Sequence, residues 1–164
     1  NKNTFFALEG FDSDIDKPYE IKKEHNVTFI GSLHSQREQI LKQIKHPIHH
    51  VTNAYSKKHA QMVSKSNICL NFSTSGGASD RVFKTLAARG FLLTSDWEGR
   101  EEIFTDGEHL VVYKDVDDLN NKIPYYLKNK GIRDKIALQG NKKVQEYTRM
   151  AWAKKIIEFS EGVK

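Results

Sequence analysis

Ser73-Thr74-Ser75-Gly76-Gly77-Ala78-Ser79-Asp80-Arg81-Val82-Phe83-Lys84 is the stretch on which the reading of the fold turns. Ahead of it, Ile68 to Phe72 is a short apolar run of the kind that forms a buried strand. Behind it, apolar residues at 82, 83, 86 and 87 follow helical spacing. Small residues between a strand end and a helix start leave backbone N–H groups free to face an anion, and the helix dipole adds partial positive charge there. Arg81, in the first helical turn, supplies a guanidinium with bidentate geometry. A phosphate-binding turn made of Ser73, Ser75, Gly76, Gly77, Ser79 and Arg81 is therefore expected, with a nucleotide or phosphorylated ligand as its occupant. A plainer reading stands beside it, in which Ser79 only caps a helix after a loop. Asp80 favours the plainer reading, because a carboxylate at the first helical position competes with phosphate.

Outward from this turn, strand and helix patterns alternate. Residues 1–26 read as a lead-in or interdomain segment, and 27–164 as one domain; with no initiating methionine, the chain is expected to be a piece of a longer protein. Strands are expected at Val27–Gly31, Ile48–Val51, Ile68–Phe72, Phe91–Ser95 and Leu110–Tyr113, and helices at Gln36–Lys45, Tyr55–Ser66 and Ser79–Arg89, with a helical turn at Glu101–Phe104. Three further apolar stripes are helical: Leu119 to Leu127, where Pro124 should kink or restart the helix, Ile136 to Tyr147, and Trp152 to Phe159. Strand–helix alternation implies right-handed crossovers, and near-continuous apolar strands imply burial on both sides. The fold class is thus α/β, a Rossmann-like parallel sheet with helices on both faces and extra C-terminal helices. Such sheets bind ligands at the carboxyl ends of their strands. Three loops end strands here: Gly31 to His34, Thr52 to Tyr55, and Ser73 to Ser79. If they share an edge, Arg37, Arg81 and Lys84 gather around one anion.

Composition narrows the function classes. The 164 residues suffice for one full domain, and 38% hydrophobic with 29% charged residues describes an ordinary globular chain. No apolar run reaches the length of a membrane span and no signal pattern opens the chain. The one cysteine, Cys69, lies in an apolar strand and reads as a small buried hydrophobe, so a reducing cytoplasm is the expected location. The net charge of +5 is carried by scattered lysine pairs without aromatic interleaving, which speaks against nucleic acid as a partner.

With these elements in order, the motifs resemble a known group. Asn26 to Ser32 followed by Arg37, then Ser66 to Phe72, then Ser79 to Ala87, resemble the C-terminal domain of GT-B, group-1-like glycosyltransferases, and within them the spore-maturation-type glycosyl transferases. Phe91 to Thr94, Glu102 to Phe104 with Gly107 and Glu108, Asp118-Leu119, Tyr126-Leu127 and Arg133 through Gly140 continue the match over about residues 26–159. The resemblance implies an enzyme of hexosyltransferase type with two Rossmann-like domains, the C-terminal one holding a nucleotide-sugar donor. It places the donor diphosphate near Gly31, Ser32, the helix start at Ser79 and Arg81, and the base at the Thr52–Tyr55 loop, with Asn53 and Tyr55 as contacts. It implies no metal or other cofactor, since side-chain cations and the helix dipole neutralise the leaving diphosphate. Acceptor binding and often the catalytic base belong to an N-terminal domain outside this sequence, so the isolated domain is expected to be inactive.

Two departures count against a routine donor site. Related enzymes often carry a glutamate at the position of Lys84 to hold the donor ribose, and retaining members carry a second one eight residues earlier, where Gly76 stands. A lysine accepts no hydrogen bond. Either Lys84 touches phosphate instead, or donor binding is lost and the domain is a non-catalytic assembly or partner-binding module. A flavodoxin-like domain is a weaker third reading, as no flavin-type phosphate loop follows the first strand. Among lesser features, His46-Pro47-Ile48-His49-His50 hints at metal, but adjacent histidines in a strand point to opposite faces. His34 sits near the first glycine turn. Glu101-Glu102 complement a short helix start, and Trp97 and Trp152 read as packing residues.

Overall fold

The computed structural model describes residues 10–73 and 76–162. The strands β1 (His25–Ile30), β2 (His49–Val51), β3 (Ser66–Asn71), β4 (Leu92–Ser95) and β5 (Val111–Tyr113) form one parallel sheet in the order β2-β1-β3-β4-β5. Val27 pairs with Ile68, Leu70 with Leu93, and Leu93 with Val111. After β2 the chain crosses to the other side of β1, so the strand order reverses between β1 and β3. That reversal opens a crevice at their carboxyl ends.

Alternate residues of the strands feed two cores. Val27, Phe29, Ile68, Leu70, Phe72, Leu93, Val111 and Tyr113 pack on one face against α1 (Ser35–Gln43) and α4 (Val116–Lys128). Ile30, Cys69, Leu92 and Val112 point to the other face, against α2 (Lys57–Lys65) and α3 (Asp80–Ala87). Both faces are apolar, which is why the strands read as unbroken hydrophobic runs. The helix α5 (Lys130–Val144) straddles the two cores, with Ile136 and Ala137 in the first and Val144 in the second. Its close approach needs a glycine: a Cβ on Gly140 would lie 2.1 Å from the His109 carbonyl oxygen and 2.9 Å from Leu86.

Four expectations shift in detail. The helix α4 runs on through Pro124 and the restart comes later, at Lys130. Pro124 is exposed, while Leu119 and Ile123 anchor the helix in the core. The helical turn near Glu101 is a 3-10 turn over Arg100–Glu102. Leu110 precedes β5, although it is fully buried. The final helix, α6 (Arg149–Gly162), buries none of its residues, and Ile156 and Ile157 are about half exposed at 48% and 55%. Ahead of β1, Phe11 is buried in the second core and clasps the far end of the chain, with Arg149 N–H donating to its carbonyl at 2.9 Å.

Candidate functional site

At the crevice between β1 and β3 a cleft of about 210 Å³ is lined by Ile30, Gly31, Ser32, Arg37, Asn53, Ala54, Tyr55, His59, Asp80, Arg81 and Lys84. Seven of the residues expected from sequence are among these. Each is positioned by an identifiable device. The Gly31 N–H donates to the Val51 carbonyl at 2.9 Å, which ties the first loop to the end of β2. Gly31 has φ +152°, and a Cβ there would stand 2.5 Å from Nη2 of Arg81. Only a glycine leaves the guanidinium that room.

Two cations converge on one ring. The guanidinium carbons of Arg81 and Arg37 lie 5.2 and 5.9 Å from the centroid of Phe29, a fully buried side chain at the end of β1. Arg81 donates from Nη1 to Oδ1 of Asn71 at 2.9 Å, and Arg37 donates to the carbonyls of Ser32 (3.2 Å) and Phe72 (3.5 Å). Burial, then the neighbouring charge of Arg37, push the Arg81 pKa down to about 10, against a smaller upward pull from Asp80. An arginine at that value is still charged at neutral pH, in surroundings that would welcome an anion.

Among the described residues, the third loop reaches the cleft through its helix only. Lys84 and Asp80 form an ion pair one turn apart on α3. Burial pushes the Asp80 carboxyl up, but the hydrogen bond and charge of Lys84, with Arg81 and His59 adding, hold it below the usual carboxylate range. The carboxylate expected to compete with phosphate is thus engaged by the lysine expected to bind it. Ser79 stands at the N-cap of α3, yet its hydroxyl does not cap the helix and turns instead to Oδ1 of Asn71 at 3.3 Å. Ser73 donates to the Gly77 carbonyl at 2.8 Å and faces a separate groove beside Gln36 and Gln39. Gly76 and Gly77 are outside the cleft lining, and Ser75 lies outside the described residues.

In the loop after β2, Asn53 and Ser56 have positive φ, 57° and 52°. Such conformations cost free energy in non-glycine residues and cluster where a loop is shaped for a ligand. Tyr55 projects from this loop, 71% exposed, with its hydroxyl 3.4 Å from Oδ1 of Asn53.

Sequence reasoning passed over Asn71, His59 and Phe29. The signal for Asn71 was an amide inside the run Ile68-Cys69-Leu70-Asn71-Phe72. It is fully buried, donates to Thr94, accepts from Ser79 and Arg81, and its carbonyl accepts from Tyr113. The histidines part company: His49 stacks on His25 at 3.7 Å, while a ring nitrogen of His50 lies 2.8 Å from the Gly31 carbonyl oxygen. Among the described residues no group of three or more His, Cys, Asp or Glu side chains is arranged to hold a metal ion. Trp97 packs in the second core. Among the same residues no helix is long and apolar enough to cross a membrane.

A sequence profile described as glycosyl transferase-like matches residues 17–158. The chain belongs to that family. No curated protein sequence matches it. Among solved structures, this glycosyl transferase-like chain resembles the C-terminal domain of a glycosyl transferase group 1 family protein (LpcC) from Francisella tularensis, with TM-score 0.68 and 14% identity over 83% of this chain and 97% of that one. It resembles HepE from Anabaena in complex with UDP and glucose, with TM-score 0.74 and 12% identity over 93% of this chain and 55% of that one. Sucrose-phosphate synthase from Thermosynechococcus elongatus gives TM-score 0.74 at 13% identity, over 94% of this chain and 51% of that one. The chain therefore spans nearly all of the Francisella domain and about half of the other two. At these identities the likeness is one of fold, a GT-B Rossmann-like domain.

Proposed function

We propose that this domain is the donor-binding C-terminal half of a glycosyltransferase that moves a sugar from a nucleotide-sugar to an acceptor. The observation that carries the reading is the meeting of Arg37 and Arg81 over Phe29, beside a wall that Gly31 leaves without a side chain. Two guanidinium groups there suit a diphosphate in the donor and the charge that grows on it as the sugar departs. Asn53 and Tyr55, in the same cleft, are the candidates for holding the nucleobase. Within the family the spore-maturation-type group is the proposed subtype. An N-terminal domain of the same protein would supply the acceptor site and the catalytic base, and the buried free thiol of Cys69 suits a reducing cytoplasm.

Calorimetry of the chain with UDP, ADP, GDP and the matching nucleosides tests the reading. One nucleoside diphosphate should bind, more tightly than its nucleoside, and no sugar should be transferred by this domain alone. Failure of all three to bind, or turnover by these residues alone, would overturn it.

The second reading, a non-catalytic Rossmann-like module, is favoured by one observation: Lys84 occupies the family's usual carboxylate position and spends its charge on Asp80. Lys84→Glu separates the two. It should weaken diphosphate binding if the Lys84 side of the cleft supports phosphate, because two carboxylates then face the ligand. A variant that binds more tightly would mark a decayed ribose pocket and support the module.

A further inference from the structure

Asn71, the last residue of β3, is fully buried and uses both ends of its side chain. Its Oδ1 accepts from Nη1 of Arg81 at 2.9 Å and from the Ser79 hydroxyl at 3.3 Å. Its Nδ2 donates to the Thr94 hydroxyl oxygen at 3.0 Å. The amide cannot be turned over. A guanidinium only donates, so it requires the oxygen. The Thr94 hydroxyl gives its proton to the Ser95 carbonyl at 2.8 Å, so toward Asn71 it can only accept. The Tyr113 hydroxyl fixes the backbone at the same point, donating to the Asn71 carbonyl at 3.2 Å. Strands β3, β4 and β5 together aim one neutral oxygen at the start of α3.

That neutrality is the informative property. A charge drawn out of water is ordinarily paired with an opposite one. Among the described residues neither Arg81 nor Arg37 forms an ion pair, and their acceptors are uncharged: Oδ1 of Asn71 and the carbonyls of Ser32 and Phe72. Asp80, the residue before Arg81, is engaged by Lys84 instead. A carboxylate at position 71 would hold Arg81 more strongly, but it would also cancel the charge it holds. An amide of the same shape holds without cancelling.

We propose that Asn71 is a positioning residue that fixes the Arg81 guanidinium at the cleft and leaves its charge uncompensated, available to a diphosphate. This rests on the donor-site reading and deepens it. A side chain that is not among those lining the cleft sets how strongly the cleft attracts an anion.

Calorimetry of the chain with inorganic pyrophosphate, at fixed low salt, is the test. Asn71→Asp, close to isosteric, should weaken binding roughly tenfold or more, because the new carboxylate takes up the Arg81 charge. Asn71→Ala, which leaves Arg81 loose but charged, should lose less. A purely structural role demands the reverse order, since alanine leaves Arg81, Ser79 and Thr94 all without their partner. With Arg81→Met already in place, Asn71→Asp should lose at most about threefold. A full loss on that background would mean that the carboxylate acts on the ligand and not through Arg81, and would overturn the proposal. So would Asn71→Ala binding more weakly than Asn71→Asp. In isotope-labelled wild type the Asn71 side-chain amide should exchange slowly with water; free exchange would overturn the assignment with no variant needed. If wild type binds neither pyrophosphate nor UDP, the donor-site reading falls and this one with it. If pyrophosphate binds wild type and Asn71→Asp alike, only this one falls.

Discussion

Replacing Arg81 with methionine removes the charge at the centre of the site while keeping an unbranched apolar stem against Phe29. In the free protein the guanidinium lies 5.2 Å from Phe29 and, among the described residues, makes one side-chain hydrogen bond, to Asn71, leaving further N–H donors for a ligand. Hydrogen bonds between ionised partners are worth about 1.5–3 kcal/mol each. Removing one such bond to phosphate should raise the dissociation constant for UDP roughly 10- to 150-fold, with uridine shifted by less than about twofold. Stability should move little in comparison. Losing the Asn71 bond destabilises the domain, but burial and Arg37 already disfavour the Arg81 charge, and Asn71 keeps its Ser79 partner. Isothermal titration at fixed low salt, UDP against uridine, measures both arms, and thermal unfolding without ligand checks the fold. Equal losses for uridine and UDP would refute the argument by placing Arg81 away from the phosphates.

Two further predictions concern stability. His59 has a folded pKa of about 4 against an ordinary 6.5, so the unfolded chain takes up this proton first and stability falls as pH drops through that window, by about 3 kcal/mol from this group alone. The urea midpoint of wild type should therefore decline more steeply from pH 7 to 4 than that of His59→Phe, and parallel slopes would contradict the buried, neutral ring. Gly140→Ala forces a methyl against the backbone carbonyl of His109, 2.1 Å away, and should cost about 1–3 kcal/mol, with a Tm lowered by roughly 2–4 °C per kcal/mol. An unchanged Tm would mean that α5 can shift without cost.

Periodicity carried the fold because its cause is local. The run Ile68 to Phe72 reads as a doubly buried strand, and it is one, with alternate residues in two cores. Element ends were less legible where a side chain elsewhere decides them. Pro124 is tolerated because its face of α4 is exposed, and exposure is a tertiary property. In the cleft, Gly31, Arg37, Arg81 and the Asn53–Tyr55 loop were foreseeable as residues in or beside loops that end strands and could share one edge. The Lys84–Asp80 pair was foreseeable only as a spacing, and its effect on either charge depends on burial. His59 was invisible: within Lys57-Lys58-His59 it reads as one more polar residue, and only packing against α3 leaves its ring dry. Asn71 gave a signal, an amide among hydrophobes, whose meaning required the positions of Ser79, Thr94 and Arg81.

The convergence of Arg37 and Arg81 also governs how the protein behaves in a test tube. Two like charges held over the same ring repel one another, and desolvation of Arg81 adds to that cost. Any small anion that enters the cleft relieves both. If the cleft holds a diphosphate as proposed, chloride, sulfate or phosphate from a buffer should compete for the same place, and a nucleotide titration should record an exchange of anions rather than a simple capture. Apparent affinity should weaken as competing salt rises, more steeply for divalent oxyanions than for chloride at equal ionic strength. Affinities for this domain are comparable only between solutions whose anions are matched, and a phosphate buffer would conceal the very interaction it was chosen to host.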